Sequence, residues 1–422
     1  MTNPTPRVDL KRGRETAVRR RHPWLFSGGI ARVEGQPAPG DLVSVHGADG
    51  AFLAWGHYSP HSQIRVRLVS WEESDQPDTP DFWRARLRRA FSARAPLLAA
   101  GATTACRLVH AESDGVPGLV VDRYGETVVV QYLTAGVEAR RELFADLLWE
   151  LLDLQSLYER SDANVRQKEG LQLRVGLLRG AEPPQIVEIL ENGLRFGVDV
   201  RRGHKSGFYL DQRENRQRLR ETLAALALAG PAPALLDVFS YTGGFAVYGL
   251  AGGAVSVVNV DTSAESLCLG QENLARNGLE HTAVEDIAGD AFKVLRRLRQ
   301  EGRQFDAIVL DPPKFAFTRR DVQRAARGYK DINLQAFHLL RPGGVLFTFS
   351  CSGAISADLF QKIVFGAALD AGCDAQIVGR LTQGSDHPVA LTFPEGDYLK
   401  GLVCKANEAN EEMTNEQMAN DE

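Results

Sequence analysis

Two short segments of the 422-residue chain carry the residues best suited to chemistry. TFSCSG (residues 348–353) places Cys351 just after an apolar run, between two serines, and FDAIVLDPPKF (residues 305–315) ends another apolar run at Asp311. A cysteine is usually a small buried hydrophobe, and we expect this of the other four. The polar neighbours of Cys351 instead predict an accessible thiol, and its thiolate is a strong nucleophile even as a minor species at neutral pH.

One reaction makes use of both groups. Carbon 5 of a pyrimidine is a poor nucleophile, but addition of a thiolate to carbon 6 enables carbon 5 to attack a methyl donor, and loss of the carbon-5 proton then expels the thiol. Pro312 and Pro313 prevent a helix directly after Asp311, so this carboxylate stays at the strand end. There it is suited to hydrogen-bond ring N3 or an exocyclic amine, which predicts a preference for cytosine.

Acidic residues also end three other apolar runs in order: Asp237, Asp261 and Asp290. A carboxylate repels pyrophosphate but accepts hydrogen bonds from an ammonium group, which favours S-adenosylmethionine over NAD at Asp237. Asp261 suits the ribose hydroxyls and Asp290 the adenine amine, although strand-end aspartates also commonly cap helices. The predicted cofactor site comprises Asp237, Phe239, Ser240, Gly243, Gly244, Asp261, Asp290, Ala291 and Asp311.

The pattern of apolar and polar residues along the chain predicts the secondary-structure elements that position these residues. From about Pro233, apolar strands alternate with helices, which predicts an α/β fold with a doubly wound, mainly parallel sheet. Before it, the segment Gly40 to Ser70 predicts a small β-rich domain, and a helix with hairpins follows as an α+β domain. The predicted division is 1–75, 76–195, 196–405 and a disordered acidic tail, 406–422.

Composition and charge indicate where the protein acts and what kind of partner it binds. No apolar run approaches the length of a membrane helix, the N-terminus lacks a signal-peptide core, and five cysteines without paired spacing argue against a disulfide framework or a metal site. We therefore expect a cytoplasmic protein with reduced thiols and no metal. The formal net charge is -5, but the tail holds six acids, and seven Lys or Arg stand between Arg7 and Arg21. This basic arm indicates a phosphate-bearing partner or a solvated surface.

The combination of motifs resembles a known family, the bacterial large-subunit rRNA cytosine-C5 methyltransferases with an N-terminal PUA domain. The resemblance covers nearly the whole ordered chain and is carried by ESDGVPGLVVDRYG, GFYLDQRENR, DVFSYTGGF, DPPKF, RGYKDINLQAF, FTFSCSG, DHPV and FPEGDYLKG.

The resemblance implies a Rossmann-like class I methyltransferase domain, a PUA domain and a central α+β domain. It implies Cys351 as nucleophile and S-adenosylmethionine as cofactor, and GFYLDQR adds Phe208, Gln212 and Arg213 near the methionine end. Two-cysteine RNA cytosine methyltransferases carry a second cysteine after their Pro-Pro pair, where this chain has Lys314 and Phe315. The base that removes the carbon-5 proton is therefore another group: Asp311, Asp386, His387 or a water molecule.

The implied partner is 23S rRNA or an assembling large subunit, with no membrane. The target base must be unpaired or flipped out, because carbon 6 is inaccessible within a duplex. Trp24 and Phe26 suit either base stacking or the domain core, which we favour. Phosphate contacts are expected from Arg12, Arg14, Arg19, Arg20 and Arg21.

Three alternatives stay open: methylation of a base amino group, methylation of uridine at carbon 5, and a catalytically silent rRNA-binding assembly factor. The sequence does not identify the nucleotide, and it leaves a homodimer open.

Overall fold

The structure is a computed structural model that describes residues 5–316 and 318–407. The predicted acidic tail lies outside the described residues apart from its first two positions. Ala406 is not part of a tail, because it is the buried last residue of a strand. Among the described residues, no helix is both long enough and apolar enough to cross a membrane.

The chain divides into two compact units. The first comprises residues up to Asp211 together with Gly384–Gly396, and the second comprises Gln212–Gln383 together with the residues from Asp397 onwards. This division differs from the domains predicted above, because a segment near the C-terminus belongs to the first unit. The three-domain division stays a prediction.

A six-stranded sheet with the order β2-β6-β5-β4-β1-β3 begins the first unit. All pairs are antiparallel except β1 with β4. Alternating apolar residues face a core that includes Val8, Val43, Val45, Val66 and Leu68. The elements are β1 (Arg7–Leu10), α1 (Thr16–Arg19), β2 (Trp24–Phe26), β3 (Ile30–Glu34), β4 (Leu42–His46), β5 (Phe52–Tyr58) and β6 (Ile64–Ser70).

A five-stranded sheet with the order β11-β10-β9-β8-β7 and a separate β12-β13 hairpin complete the first unit. The predicted long helix is present, with Pro80 at its first turn, where a missing N–H costs nothing. The helices are α2 (Pro80–Ala99), α3 (Ala135–Ala139), α4 (Arg141–Leu151) and α5 (Val165–Lys168). The strands are β7 (Ala105–His110), β8 (Leu119–Tyr124), β9 (Thr127–Tyr132), β10 (Ser156–Ser161), β11 (Arg174–Gly180), β12 (Val187–Glu191) and β13 (Leu194–Val198).

The second unit contains a seven-stranded sheet with the order β16-β15-β14-β17-β18-β20-β19. Its first five strands are parallel, and β20 runs antiparallel to both β18 and β19. The strands are β14 (Ala234–Val238), β15 (Ser256–Asp261), β16 (Ala283–Ala288), β17 (Phe305–Leu310), β18 (Leu340–Ser350), β19 (Ala375–Leu381) and β20 (Lys400–Ala406). The helices are α6 (Arg213–Ala229), α7 (Gly244–Ala251), α8 (Ala264–Ala275), α9 (Ala291–Gln300), α10 (Val322–Leu339) and α11 (Ala357–Asp370).

This topology confirms the predicted Rossmann-like α/β fold. The central strands are mainly apolar, as expected where helices cover both faces of a parallel sheet. The chain leaves β14 toward β15 on one side and returns to pair β17 on the other, which creates a crevice at the carboxyl ends of β14 and β17. Side chains at the ends of β15, β14, β17 and β18 therefore line up along one edge.

Candidate active site

Asp237 lies near the end of β14 and is 1% exposed. Neither of its carboxylate oxygens has a hydrogen-bond partner, although the backbone N–H of Ala246 lies near enough to favour the charged form. Burial, and next the charge of Asp311, raise the pKa of Asp237 to about 8. A buried carboxyl group without a partner is costly and is rare in a purely structural position.

The turn from β14 into α7 is conformationally strained. Phe239 (φ 66°), Tyr241 (φ 49°) and Gly243 (φ 72°) all adopt the left-handed region, which a bulky residue such as phenylalanine rarely occupies. Such strain persists where the surrounding structure holds it and often marks a ligand site. The hydroxyls of Ser240 and Thr242 in the same turn are buried without a hydrogen-bond partner.

The two glycines of the turn have different physical reasons. Gly243 is the N-cap of α7, and its φ of 72° favours glycine, whereas a Cβ atom there would make only an ordinary 3.4 Å contact with Gly270 Cα. A Cβ atom on Gly244 would lie 3.2 Å from the side chain of Arg216, which is buried. Gly244 thus lets the turn approach the Arg216 side chain.

Asp261 and Asp290 both contact backbone N–H groups. Asp261, at the end of β15, accepts from Tyr241 and from Ser263, each at 2.9 Å, so it braces the strained turn. Asp290 is exposed and accepts from the N–H of Lys293 at 3.1 Å, which makes it the N-cap of α9. The helix-cap alternative therefore describes Asp290, whose neighbour Ala291 is buried. Their contacts with a cofactor stay predictions.

Asp311 follows β17 and accepts a hydrogen bond from Gln212 Nε2 at 3.0 Å. The Oε1 atom of Gln212 in turn accepts from Asn215 at 2.6 Å, so the start of α6 orients the carboxylate. Arg213 is buried and forms an ion pair with Glu214 at 2.9 Å. Phe208 belongs to the first unit, where its ring packs against Phe196. The proposed cofactor contacts of Phe208 and Arg213 stay predictions.

Cys351 directly follows β18 and is partly buried. Its two serine neighbours are fully buried, so their polarity does not signal exposure in the way predicted above. Ser350 donates to the hydroxyl of Tyr329 at 3.0 Å, and the same hydroxyl lies 3.0 Å from Ser352 Oγ. Ser352 Oγ also accepts from the N–H of Ala316 at 3.1 Å. This network ties the cysteine loop to the segment that follows Asp-Pro-Pro.

Tyr329 and Lys400 are the residues of this region that sequence reasoning did not assign. Lys400 Nζ donates to the backbone carbonyl of Ser352 at 3.1 Å. Both residues stand within segments that carry the family resemblance, RGYKDINLQAF and FPEGDYLKG, but only the tertiary fold brings them to Cys351. In the same helix, α10, Lys330 and Asp331 form ion pairs with Asp370 and Arg296, respectively.

Comparison with known proteins identifies the family. A model described as an S-adenosylmethionine-dependent methyltransferase matches residues 174–391, more than half of the chain, and a model described as a PUA-like domain matches residues 8–71. The chain belongs to the S-adenosylmethionine-dependent methyltransferases.

Curated relatives match this methyltransferase over nearly its full length. "Ribosomal RNA large subunit methyltransferase I" of Aeromonas salmonicida (strain A449) is 51% identical over 399 residues, 94% of this chain and 99% of the relative. The protein of the same name from Klebsiella pneumoniae (strain 342) is 46% identical over 400 residues, 95% of this chain and 98% of the relative.

Solved structures share the fold. A candidate SAM-dependent methyltransferase from Streptococcus mutans has a TM-score of 0.81 and 21% identity, covering 94% of this chain and 99% of its own. A candidate methyltransferase complexed with SAH has a TM-score of 0.81 at 22% identity and the same coverage. At these identities the likeness concerns the fold alone.

The donor set of the methyltransferase fits S-adenosylmethionine. Asp237 offers two buried, unpartnered carboxylate oxygens, which suit the ammonium group of the cofactor's amino-acid end. Ser240 and Thr242 add unpartnered hydroxyls in the adjoining turn. Asp261, at the next strand end, keeps lone pairs beyond its two backbone contacts, and these suit ribose hydroxyls.

Asp386 and His387, the other candidate bases, lie in a buried network of the first unit. Asp386 Oδ2 accepts from the N–H of Arg107 at 2.8 Å, and Oδ1 lies 3.0 Å from His387 Nδ1. His387 packs against His110, whose pKa burial and the Arg107 charge lower to about 2. All these contacts lie within the first unit, and a role of either residue as the base stays a prediction.

The predicted RNA-contacting arginines of the basic arm are all exposed. Arg19 and Arg21 form long ion pairs with Asp49 and Glu72, at 3.9 and 3.5 Å. Phe26 is 49% exposed, so the favoured core interpretation is wrong for it. Trp24 is partly buried, where it packs on Phe393.

Proposed function

We propose that this methyltransferase transfers a methyl group to carbon 5 of a cytosine in large-subunit (23S) rRNA through a transient covalent bond to Cys351. The observation that carries the proposal is the order along one sheet edge. At the carboxyl ends of four adjacent strands, within one residue of the strand end, lie in order Asp261, Asp237, Asp311 and Cys351. The relatives named ribosomal RNA large subunit methyltransferase I support the rRNA substrate.

Cys351 begins the reaction as a thiolate. A bond forms between its sulfur and carbon 6 of the cytosine, and the electron pair of the 5,6 double bond becomes available at carbon 5. When bound, S-adenosylmethionine supplies an electrophilic methyl group. After methylation, a base removes the carbon-5 proton, the 5,6 double bond re-forms, and the carbon–sulfur bond breaks to regenerate the thiolate.

Asp311 orients the ring. Gln212 holds one of its oxygens at 3.0 Å, so the carboxylate has a fixed direction at the end of β17. It accepts a hydrogen bond from the exocyclic amine of cytosine, a contact that uridine, with a carbonyl at that position, does not offer. Because the side-chain contacts of Asp386 and His387 described above lie within the first unit, we favour Asp311 or a water molecule as acceptor of the carbon-5 proton.

RNA binding rests on the first unit. The PUA-like match and the five exposed arginines of the basic arm support contacts with phosphates. The target cytosine is unpaired or flipped out of its stack when it reaches Cys351. The rRNA substrate supports a reaction in the cytoplasm.

Release of tritium from large-subunit rRNA labelled as [5-3H]cytosine tests this function, because only chemistry at carbon 5 liberates that label. We expect one tritium released per methyl group transferred, and neither event with Cys351→Ala. Cys268→Ala, at an exposed cysteine, is the matched control and retains activity.

Each alternative has its own signature in this assay. Methyl incorporation without tritium release indicates an amino-group methyltransferase, and release from [5-3H]uracil RNA indicates a uridine methyltransferase. An assembly factor without turnover gives neither methyl transfer nor tritium release with the unaltered protein.

A further inference from the structure

Lys400 reaches from β20 to the loop of the nucleophile. It is the first residue of β20 and lies opposite Ser350 in the antiparallel ladder with β18. Its Nζ atom donates to the carbonyl of Ser352 at 3.1 Å. In the sequence, Cys351 lies between Ser350, which is opposite the Lys400 backbone in the ladder, and Ser352, whose carbonyl accepts from the Lys400 side chain.

The charged groups around Lys400 act on its pKa in both directions. Burial lowers its pKa, whereas the negative charges of Asp397 and of the Cys351 thiolate favour its protonated form. Lys314, from the segment after Asp-Pro-Pro, acts in the opposite direction. The hydroxyl of Tyr329 also lies at this loop. Burial raises the pKa of that hydroxyl, and the negative charge of Cys351 raises it further.

We propose that Lys400 is a positioning residue that holds its ammonium group beside Cys351, favours the thiolate form and fixes the loop through the Ser352 carbonyl. This inference rests on the proposed function of Cys351 as nucleophile. A cation next to a thiol increases the thiolate population at neutral pH. The same charge assists the last step, because it stabilises the thiolate as it leaves carbon 6.

The test measures alkylation of Cys351 by iodoacetamide as a function of pH, without RNA or cofactor. Peptide mass spectrometry separates Cys351 from the exposed Cys268, which serves as an internal standard. For Lys400→Met we expect alkylation of Cys351 about tenfold slower at pH 7 and equal to the unaltered protein at high pH. Lys400→Arg keeps most of the rate. Lys405→Met, at an exposed position of the same strand, changes nothing.

An unchanged pH profile in Lys400→Met overturns the inference. Lys400→Gln, with a neutral hydrogen-bond donor, separates charge from anchoring: a profile like that of the unaltered protein also overturns it. Neither result affects the proposed function, which fails separately if Cys351→Ala still releases tritium.

Discussion

Two buried carboxyl groups, one in each unit, are satisfied in opposite ways. Asp122 of the first unit is fully buried and bonded to Arg107 at 2.7 and 2.8 Å, with Ser206 as a further donor. Asp237 of the second unit is equally buried, yet neither oxygen has a hydrogen-bond partner. A saturated carboxylate is part of the scaffold, whereas an unpartnered one is available to a ligand.

A second comparison concerns two segments with candidate catalytic side chains: Asp386–His387 in the first unit and the loop of Cys351 in the second. The Asp386–His387 segment has its polar atoms engaged inside the first unit, although its sequence suggested catalysis. The loop of Cys351 also contains buried, hydrogen-bonded hydroxyls, but its cysteine is only partly buried and follows a strand end. For the two buried aspartates, Asp122 and Asp237, hydrogen-bond saturation rather than residue type distinguishes the scaffold from the site.

Removing the saturated carboxylate has the largest expected effect on stability. Asp122→Ala removes the carboxylate that pairs with the largely buried guanidinium of Arg107, so we expect the free energy of unfolding to fall by about 3–5 kcal/mol in urea denaturation. The matched control is Asp146→Ala, whose exposed ion pair with Arg179 contributes less than about 1 kcal/mol. Equal losses for the two variants would contradict the comparison.

Removing the unpartnered carboxylate weakens cofactor binding instead. Asp237→Asn loses a charge-assisted hydrogen bond, so we expect S-adenosylhomocysteine affinity to fall by about 2 kcal/mol, roughly 30-fold. Since the pKa of Asp237 is about 8, its carboxyl group is mostly protonated at pH 7 before binding. Calorimetry in two buffers should therefore show release of about one proton on binding to the unaltered protein, and none with the variant.

The raised pKa of Asp237 also makes its contribution to protein stability depend on pH. The folded-state pKa of Asp237 lies above the unfolded value of 3.8, so its contribution to stability is fully present below pH 4 and is lost as pH rises toward 8. In the absence of cofactor, thermal denaturation of Asp237→Asn should lack this decline. A decline of the same size in both proteins would assign it to other groups.

The hydroxyl of Tyr329 provides a smaller, more specific effect. Tyr329→Phe removes the link between Ser350 and Ser352, so we expect kcat to fall about tenfold with a stability loss of about 1 kcal/mol. Tyr132→Phe is the control, because this buried hydroxyl donates to the Arg141 carbonyl in the first unit. Its variant should lose similar stability and keep kcat. A similar loss of kcat in both variants would show that the loss comes from general destabilisation and not from the loop of Cys351.

The smallest effect per residue concerns the basic arm. Replacing Arg12, Arg14 and Arg20 by alanine should weaken RNA binding and reduce the slope of log affinity against log salt by about 2. Arg297→Ala, on the exposed face of α9, is the control and leaves the slope unchanged. A triple variant with an unaltered slope would exclude the arm from the RNA interface.

The sequence was sufficient for the fold of the second unit. Continuous apolar strands predicted a parallel sheet, and the acids that follow them predicted which edge carries the site. The register of β14, β15, β17 and β18 agrees with that expectation, because parallel strands necessarily present their carboxyl ends together.

Contacts between residues that are far apart in the sequence could not be predicted from local patterns. Lys400 reaches Ser352 only because β20 pairs antiparallel with β18, and Tyr329 meets both serines from a helix 21 residues before the first of them. The polar neighbours of Cys351 suggested an accessible thiol, whereas tertiary hydrogen bonds allow the two flanking serines to be buried. The return of Gly384–Gly396 to the first unit likewise left no local signal.

The central claim is the bond between Cys351 and the pyrimidine ring. In rRNA containing 5-fluorocytosine, the fluorine cannot leave as a proton does, so the adduct should accumulate as a covalent protein–RNA complex in the presence of S-adenosylmethionine. We predict this complex on denaturing gels for the unaltered protein and for Cys268→Ala, with the RNA attached to the Cys351 peptide, and none for Cys351→Ala. A complex that persists in Cys351→Ala, or methylation without any adduct, would contradict the account.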